Sequence, residues 1–426
     1  MHHNRAFLLA GTCALAILGA AGQDAMRPKD VRNLVKQGSS ALPQLQELVR
    51  NPDVDIRVEA VKAITEIGTQ GSLAPLITAT SDKDAEVQIR ATDGLVNFYL
   101  PEYVKRGLGA SIKRLGSGIK GKFTDTNDQV IDPFVVPRPD VIQALGTMVR
   151  GSGSVDARAN AARALGILRA KAAVPDLLAA LKSKDTSVIY EALNALQKIR
   201  DDSAASGVAF LLHDLDEKVQ IAAIETVGLL QNKSSVPQLL DVLEHSRSIK
   251  VKRAALTALA MLPDPQSRSV FGQYLHDKDD GLRAAAAEGF GRLRTPSDLP
   301  MIDAAFKEES KMAPRLALAF AEVLLGKTDI SEFSPYQLLI NTVNSVGYRG
   351  VAYAYLVEIS RNPALRPPLY HAAETGTKDE KIYLARVLAA SGGTDAVPCL
   401  EKLSHDGDDQ VAQEGLRALR TLKARL

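Results

Sequence analysis

The chain lacks tryptophan altogether, has two cysteines in 426 residues and is only 5 % aromatic. So few rings exclude a core built around large aromatics, and Ala and Leu, which suit close helix packing, dominate instead. One cysteine, Cys13, lies in an apolar N-terminal run. If that run is removed, Cys399 is the sole thiol, an intramolecular disulfide is impossible and stability must come from packing. Charge of one sign is missing too, with Lys+Arg at 52 against Asp+Glu at 50. That balance argues against nucleic acid as a partner, because general nucleic-acid binders carry a marked basic excess. Neither a Ser-His-Asp, a Cys-His nor a paired-carboxylate arrangement has a workable spacing. No catalytic residue, metal ligand or cofactor site is therefore assigned.

What is present begins with an export signal. His2, His3 and Arg5 make a short polar start, the apolar run covers residues 6–20, and Ala20-Ala21-Gly22 offers small residues for cleavage before Gln23. The run is shorter than the ~20 residues a spanning helix needs. Residues 1–22 are thus expected to be a signal peptide, and the mature protein to be periplasmic or secreted and not transmembrane.

The rest repeats. An acidic or polar cap, an apolar residue three on, then small residues at helical spacing recur at Asp53/Ile56, Asp84/Val87, Ser154/Ala157, Asp185/Val188, Asp216/Val219, Ser248/Val251, Asp279/Leu282, Asp379/Ile382 and Asp408/Val411. From Ala157 to Leu282 the spacings are 31, 31, 32 and 31. A proline opening a second helix follows in phase at Pro75, Pro175, Pro237, Pro300 and Pro398. In the clearest copy, Val219, Ala223, Val227 and Leu230 form one stripe, and Val236, Leu239, Leu240 and Leu243 the other, with Ser235 as expected cap of the second helix. Such a hairpin cannot bury its stripes alone, so copies must stack. Two weaker copies are expected near Pro314 and Tyr348, with Pro335 and Pro367 opening their second helices. The surplus between Val87 and Ala157 reads as an insertion at one turn, residues 101–138. The expected organisation is 23–100 as N-terminal cap and first repeats, the insertion, 139–407 as further repeats, and 408–426 as a capping helix.

In these residues the chain resembles the HEAT-repeat superfamily, in particular the short HEAT-like repeats of phycobilisome lyases. Asp279 to Arg283 with the alanines 284–287, and Ser154 to Arg158 with Ala161-Ala162-Arg163-Ala164-Leu165-Gly166, carry the pattern. The resemblance implies an all-α fold, a right-handed α-solenoid with a concave face lined by second helices, and most often a scaffold. The expected function is a non-enzymatic scaffold for protein–protein interaction in the cell envelope. The alternative, by resemblance only, is a lyase-like or chaperone-like activity on a tetrapyrrole or protein substrate. The HEAT-like deoxyhypusine hydroxylases bind iron through His-Glu dyads, and no His-Glu dipeptide occurs here.

Candidate binding residues fall in two places. Within the insertion, Lys105, Arg106, Lys113, Arg114, Lys120 and Lys122 lie among five glycines and no carboxylate, with Phe123 beside them. The glycines brush against nucleotide-loop patterns, but the strand such loops need is missing. The segment reads either as a basic contact for an anionic envelope surface or as a solvated elaboration. The second place is the Tyr/Arg-rich stretch with Tyr348, Arg349, Tyr355 and Arg366, which suit a protein interface or fill space between weaker repeats. His213, His245, His276 and His405, each six residues before the next landmark, are expected at second-helix C-termini, where an imidazolium meets the last carbonyls. Arg57, Arg158, Arg283 and Arg315 are expected to form a structural ladder, each pairing with a cap Asp of its own or an adjacent repeat.

Overall fold

The computed structural model describes residues 26–104, 129–151 and 154–426. The signal-like residues 1–22 and most of the insertion lie outside them. The chain divides into two compact units, residues up to 122 and residues from 123.

Unit 1 contains α1 (Pro28–Asn33), α2 (Leu42–Leu48), α3 (Val54–Ile67), α4 (Leu73–Ala79) and α5 (Ala85–Tyr99). Unit 2 resumes at α6 (Pro139–Arg150), then α7 (Val155–Ile167), α8 (Val174–Ala180), α9 (Thr186–Ile199), α10 (Glu217–Leu229) and α11 (Val236–His245). It continues through α12 (Ile249–Met261), α13 (Arg268–Tyr274), α14 (Asp280–Leu293), α15 (Leu299–Glu308) and α16 (Met312–Leu324). The last are α17 (Pro335–Thr342), α18 (Arg349–Ser360), α19 (Pro367–Thr375), α20 (Lys378–Ser391), α21 (Val397–Leu403) and α22 (Asp409–Arg425). No strand occurs among the described residues, and none of their helices is long and apolar enough to cross a membrane. The fold is an α-solenoid of helical hairpins.

The caps explain the helix starts. Asp216 Oδ1 accepts from Lys218 N at 2.9 Å and Val219 N at 3.1 Å, and Asp53, Asp84, Ser154, Asp279 and Asp408 do the same for their helices. At α20 the cap is Thr377, two residues before the expected Asp379, in a capping box with Glu380. Val219, Ala223, Val227 and Leu230 are buried as expected. In α11 the buried set is Val236, Leu239, Val242 and Leu243, and Leu240 is only half-buried.

Two local features differ from expectation. Ser235 does not cap α11: it closes a short 3-10 turn, Lys233–Ser235, and its hydroxyl is buried without a partner. Ser72 and Ser267 occupy equivalent buried sites, so the position selects a small residue under a tight turn rather than a cap. After α9 the second helix gives way to two 3-10 turns, Asp202–Gly207 and Ala209–Leu211. No opening proline is present there, and Asp201 draws its own bonds from Ser203, which competes with helix.

First helices in unit 2 approach each other closely. A Cβ on Gly166 (α7) would fall 2.7 Å from Ala195 Cα (α9), and one on Gly291 (α14) 2.8 Å from Ala321 Cα (α16). No side chain fits between those backbones.

Candidate functional site

Of the expected contact residues, Lys105, Arg106, Lys113, Arg114, Lys120, Lys122 and Phe123 lie outside the described residues. The Tyr/Arg set does not come together as one surface. Tyr348 stands partly exposed at the start of α18. Arg349 donates to Val343 O at 2.6 Å, pairs with Asp379 at 3.0 Å and lies over the Tyr383 ring. Arg366 is buried, donating to Ser360 O at 2.6 Å and pairing with Asp395. Tyr355 is buried and turned towards α14.

Tyr355 belongs to a latch that the sequence did not reveal. Its ring stacks on Phe320 at 4.5 Å, and its hydroxyl donates to Glu288 at 2.7 Å. Arg292 (α14) donates to Glu288 at 2.7 Å and reaches across α16 to Glu358 (α18) at 2.8 Å, with its guanidinium 5.2 Å from the Phe320 ring centre. Residues 66 apart thus meet over the intervening repeat. On this stretch repeats that are not neighbours touch through their first helices. α16, covered this way, is buried on all sides from Leu316 to Leu324.

The arginine ladder forms, but except at Arg158 its partners are not the expected cap aspartates. Arg57 pairs with Asp82 at 2.8 Å and Arg283 with Glu309 at 2.7 Å, while Arg158 faces Asp185 and Arg315 donates to backbone carbonyls. A second ladder tightens the first helices, with Arg32–Glu59 at 2.7 Å, Arg163–Glu191 at 3.1 Å and Arg386–Glu414 at 3.1 Å. His245 and His405 meet last-turn carbonyls at 3.0 and 2.8 Å, as helix-end residues. Among the described residues, no group of three or more His, Cys, Asp or Glu is arranged to hold a metal. Cys399 is buried, and burial pushes its thiol up to about 11, so it is a packing residue.

One buried acid stands out. Glu322 (α16) is fully buried, pairs with Lys327 at 3.0 Å and has an Oε2 without a partner. Burial, opposed by Lys327 and reinforced by the neighbouring Asp303 carboxylate, raises its pKa to about 7. Asp303, held by Lys307 and Lys327, is shifted well below the usual range. A proton on Glu322 turns the orphaned oxygen into a donor. The folded state keeps that proton while the unfolded carboxyl loses it near pH 4.5, so this contribution is full below that value and fades as pH rises towards 7. Glu322→Gln is expected to remove the fade, which amounts to up to ~3 kcal/mol. Denaturant midpoints at pH 5 and pH 8 measure it: the wild type should lose more stability between them than the variant, and equal slopes would reject the assignment.

One open site is a shallow recess of about 340 Å³ lined by Val130, Arg169, Gln197, Lys198, Arg200 and Leu229. Its floor is set by the C-terminal ends of successive first helices. Arg169 follows α7 and Arg200 follows α9, both with left-handed backbone, at φ 47° and 53°. Val130 arrives on the arm that returns from the insertion, which Ile131 fastens by donating to Ile167 O at 3.0 Å while its side chain is buried. Gln197 is committed to α10 through Ala222 O and Thr226 Oγ1, at 3.1 and 3.0 Å. Three cations therefore flank two apolar side chains, and no carboxylate is among the lining residues. Such a mixture suits an anionic ligand with an apolar body. A second hollow of about 400 Å³, between α17 and α19, is polar and includes His371, Thr377 and Glu380.

The family model for HEAT repeats matches residues 24–105, 142–228, 208–288 and 236–321. The chain belongs to the HEAT-repeat family. Among curated proteins it is similar to the bilin biosynthesis protein PecE of Mastigocladus laminosus, 37 % identical over 137 residues, covering 32 % of this chain and 51 % of that protein. PecE of Nostoc sp. (strain PCC 7120) is 36 % identical over 112 residues, covering 26 % and 44 %. The chain spans about half the length of the curated relatives it matches. Similar solved structures include an engineered protein (20 % identity, TM-score 0.37, covering 93 % of this chain and 99 % of that one). Another is the CpcE–CpcF complex of phycocyanin lyase from Nostoc sp. PCC7120 (16 % identity, TM-score 0.33, covering 78 % and 99 %). The expectation of a chain without enzymatic character does not stand, because the curated relatives are bilin biosynthesis proteins.

Proposed function

We propose that the chain is a HEAT-repeat scaffold with a lyase-like role, holding a linear tetrapyrrole for a protein partner. The observation that carries this reading is the 37 % identity over 137 residues to a bilin biosynthesis protein. The recess supports it in kind, since bilins are extended apolar chromophores bearing acid groups and the recess offers cations beside apolar walls. Repeat arrays suit the second half of the task, because stacked hairpins present long surfaces to a protein. Spectrophotometric titration with biliverdin tests the reading. Saturable binding near one pigment per chain, with a shifted absorption band, is expected, and a spectrum identical to free pigment at all protein concentrations would reject it.

We further propose that residues 1–22 direct export, so that the scaffold works in the periplasm or outside the cell, with the basic insertion meeting an anionic envelope surface. The apolar run 6–20 and the small residues before Gln23 support this. Intact mass of protein purified from its host should correspond to a start at Gln23, and a full-length mass would refute cleavage.

A further inference from the structure

We infer that Arg169, Lys198 and Arg200 form a binding site for a small organic dianion, an apolar body carrying two acid groups. A residue just past a helix end in left-handed conformation is most cheaply glycine, and α3 ends that way at Gly68, φ 59°. The ends of α7 and α9 place arginine in that conformation instead, at φ 47° and 53°. Gln231 and Arg294 hold it too, at φ 55° and 52° past α10 and α14, so the left-handed end belongs to the repeat, and what sets Arg169 and Arg200 apart is that both line one recess.

The arginines that knit the repeats together all have carboxylate or carbonyl partners, as the two ladders show. Arg169 and Arg200 break that habit: among the described residues, neither guanidinium makes a hydrogen bond or ion pair. They sit in consecutive repeats, ~10 Å apart by the usual helix-packing distance, with Lys198 contributing to the same recess. That separation favours two acid groups on one molecule over a single compact anion. Val130 and Leu229 supply the apolar walls. Gln197 is already spent on α10, so it orients the floor and leaves anion recognition to the cations. One acid, Glu225, touches Gln197, and desolvation raises its pKa, which weakens its competition for the cations.

Identifying the dianion with the acid groups of a tetrapyrrole rests on the bilin reading; the anion site itself does not. The experiment uses the full chain and a double variant, Arg169→Gly with Arg200→Gly, and three probes: biliverdin, its dimethyl ester and sebacate, an apolar chain with a carboxylate at each end. Glycine relieves the backbone at both positions, so the variant should melt at or above the wild-type temperature. Biliverdin should bind the wild type at least about tenfold more tightly than it binds the variant, and the ester should bind weakly to both, as expected for lost charge-assisted bonds. Equal binding of biliverdin to both proteins, with the ester as tight, would overturn the site while leaving the bilin reading intact. Sebacate bound by the wild type alone, with no biliverdin binding, would uphold the dianion site and remove the bilin reading. Failure of all three probes would overturn both.

Discussion

Leu239→Asp is expected to destabilise the chain by about 4 kcal/mol or more, and Leu240→Asp, one residue on, by about 1–2 kcal/mol. Leu239 is 0 % exposed in the stripe that α11 packs inward, so a carboxyl there loses its water and gains no partner. Leu240 is half-buried and keeps a route to solvent. Because repeat arrays lose cooperativity locally, the loss should appear both in the denaturant midpoint and as faster amide exchange in α10 to α12. Equal effects at the two positions would mean that α11 is rotated from the orientation described.

Arg292→Ala should cost about 3–5 kcal/mol, the range for removing one partner of a buried ion pair. Its side chain is 15 % exposed and serves Glu288 and Glu358 together. Truncation leaves two carboxylates facing each other across α16 and uncovers the Phe320–Tyr355 stack. The triple variant Arg292→Met, Glu358→Leu and Glu288→Gln should recover much of the loss, because it leaves no uncompensated charge and keeps an acceptor for the Tyr355 hydroxyl. If Arg292→Ala melts within a degree of wild type, the latch does not hold repeats 66 residues apart.

Much of the fold was legible because every repeat solves the same local problem. A helix needs a cap, and the cap shows as Asp53, Asp84 or Asp216; a second helix tolerates proline in its first turn, and Pro175 or Pro237 marks it. Where the local solution changed, the reading slipped. Thr377 replaced Asp379 as cap because Glu380 completes a box with it. Ser235 looked like a cap although its place demands only small size. The second helix after α9 was lost to Asp201 and Ser203, whose side chains satisfy the backbone outside a helix.

The candidate site was much less legible. Arg169, Arg200 and Leu229 stand at helix ends of consecutive repeats, and Val130 returns from an insertion; no sequence window contains them together. A signal did exist: Arg169 and Arg200 recur 31 residues apart, just past helices, where glycine is the cheaper choice. The Arg292 latch gave none, since its partner lies two repeats on. Tyr355 reads equally as an interface residue or a filler of space for the same reason, because burial by a distant repeat leaves no trace in local spacing.

The most direct test of the account is hydrogen exchange on the full chain with and without saturating biliverdin. Slowed exchange concentrated at residues 165–171 and 196–203, the ends of α7 and α9, is the result the account predicts. Unchanged exchange there, or protection only along the second helices, would contradict a lyase-like scaffold that holds its pigment at this edge of the repeats.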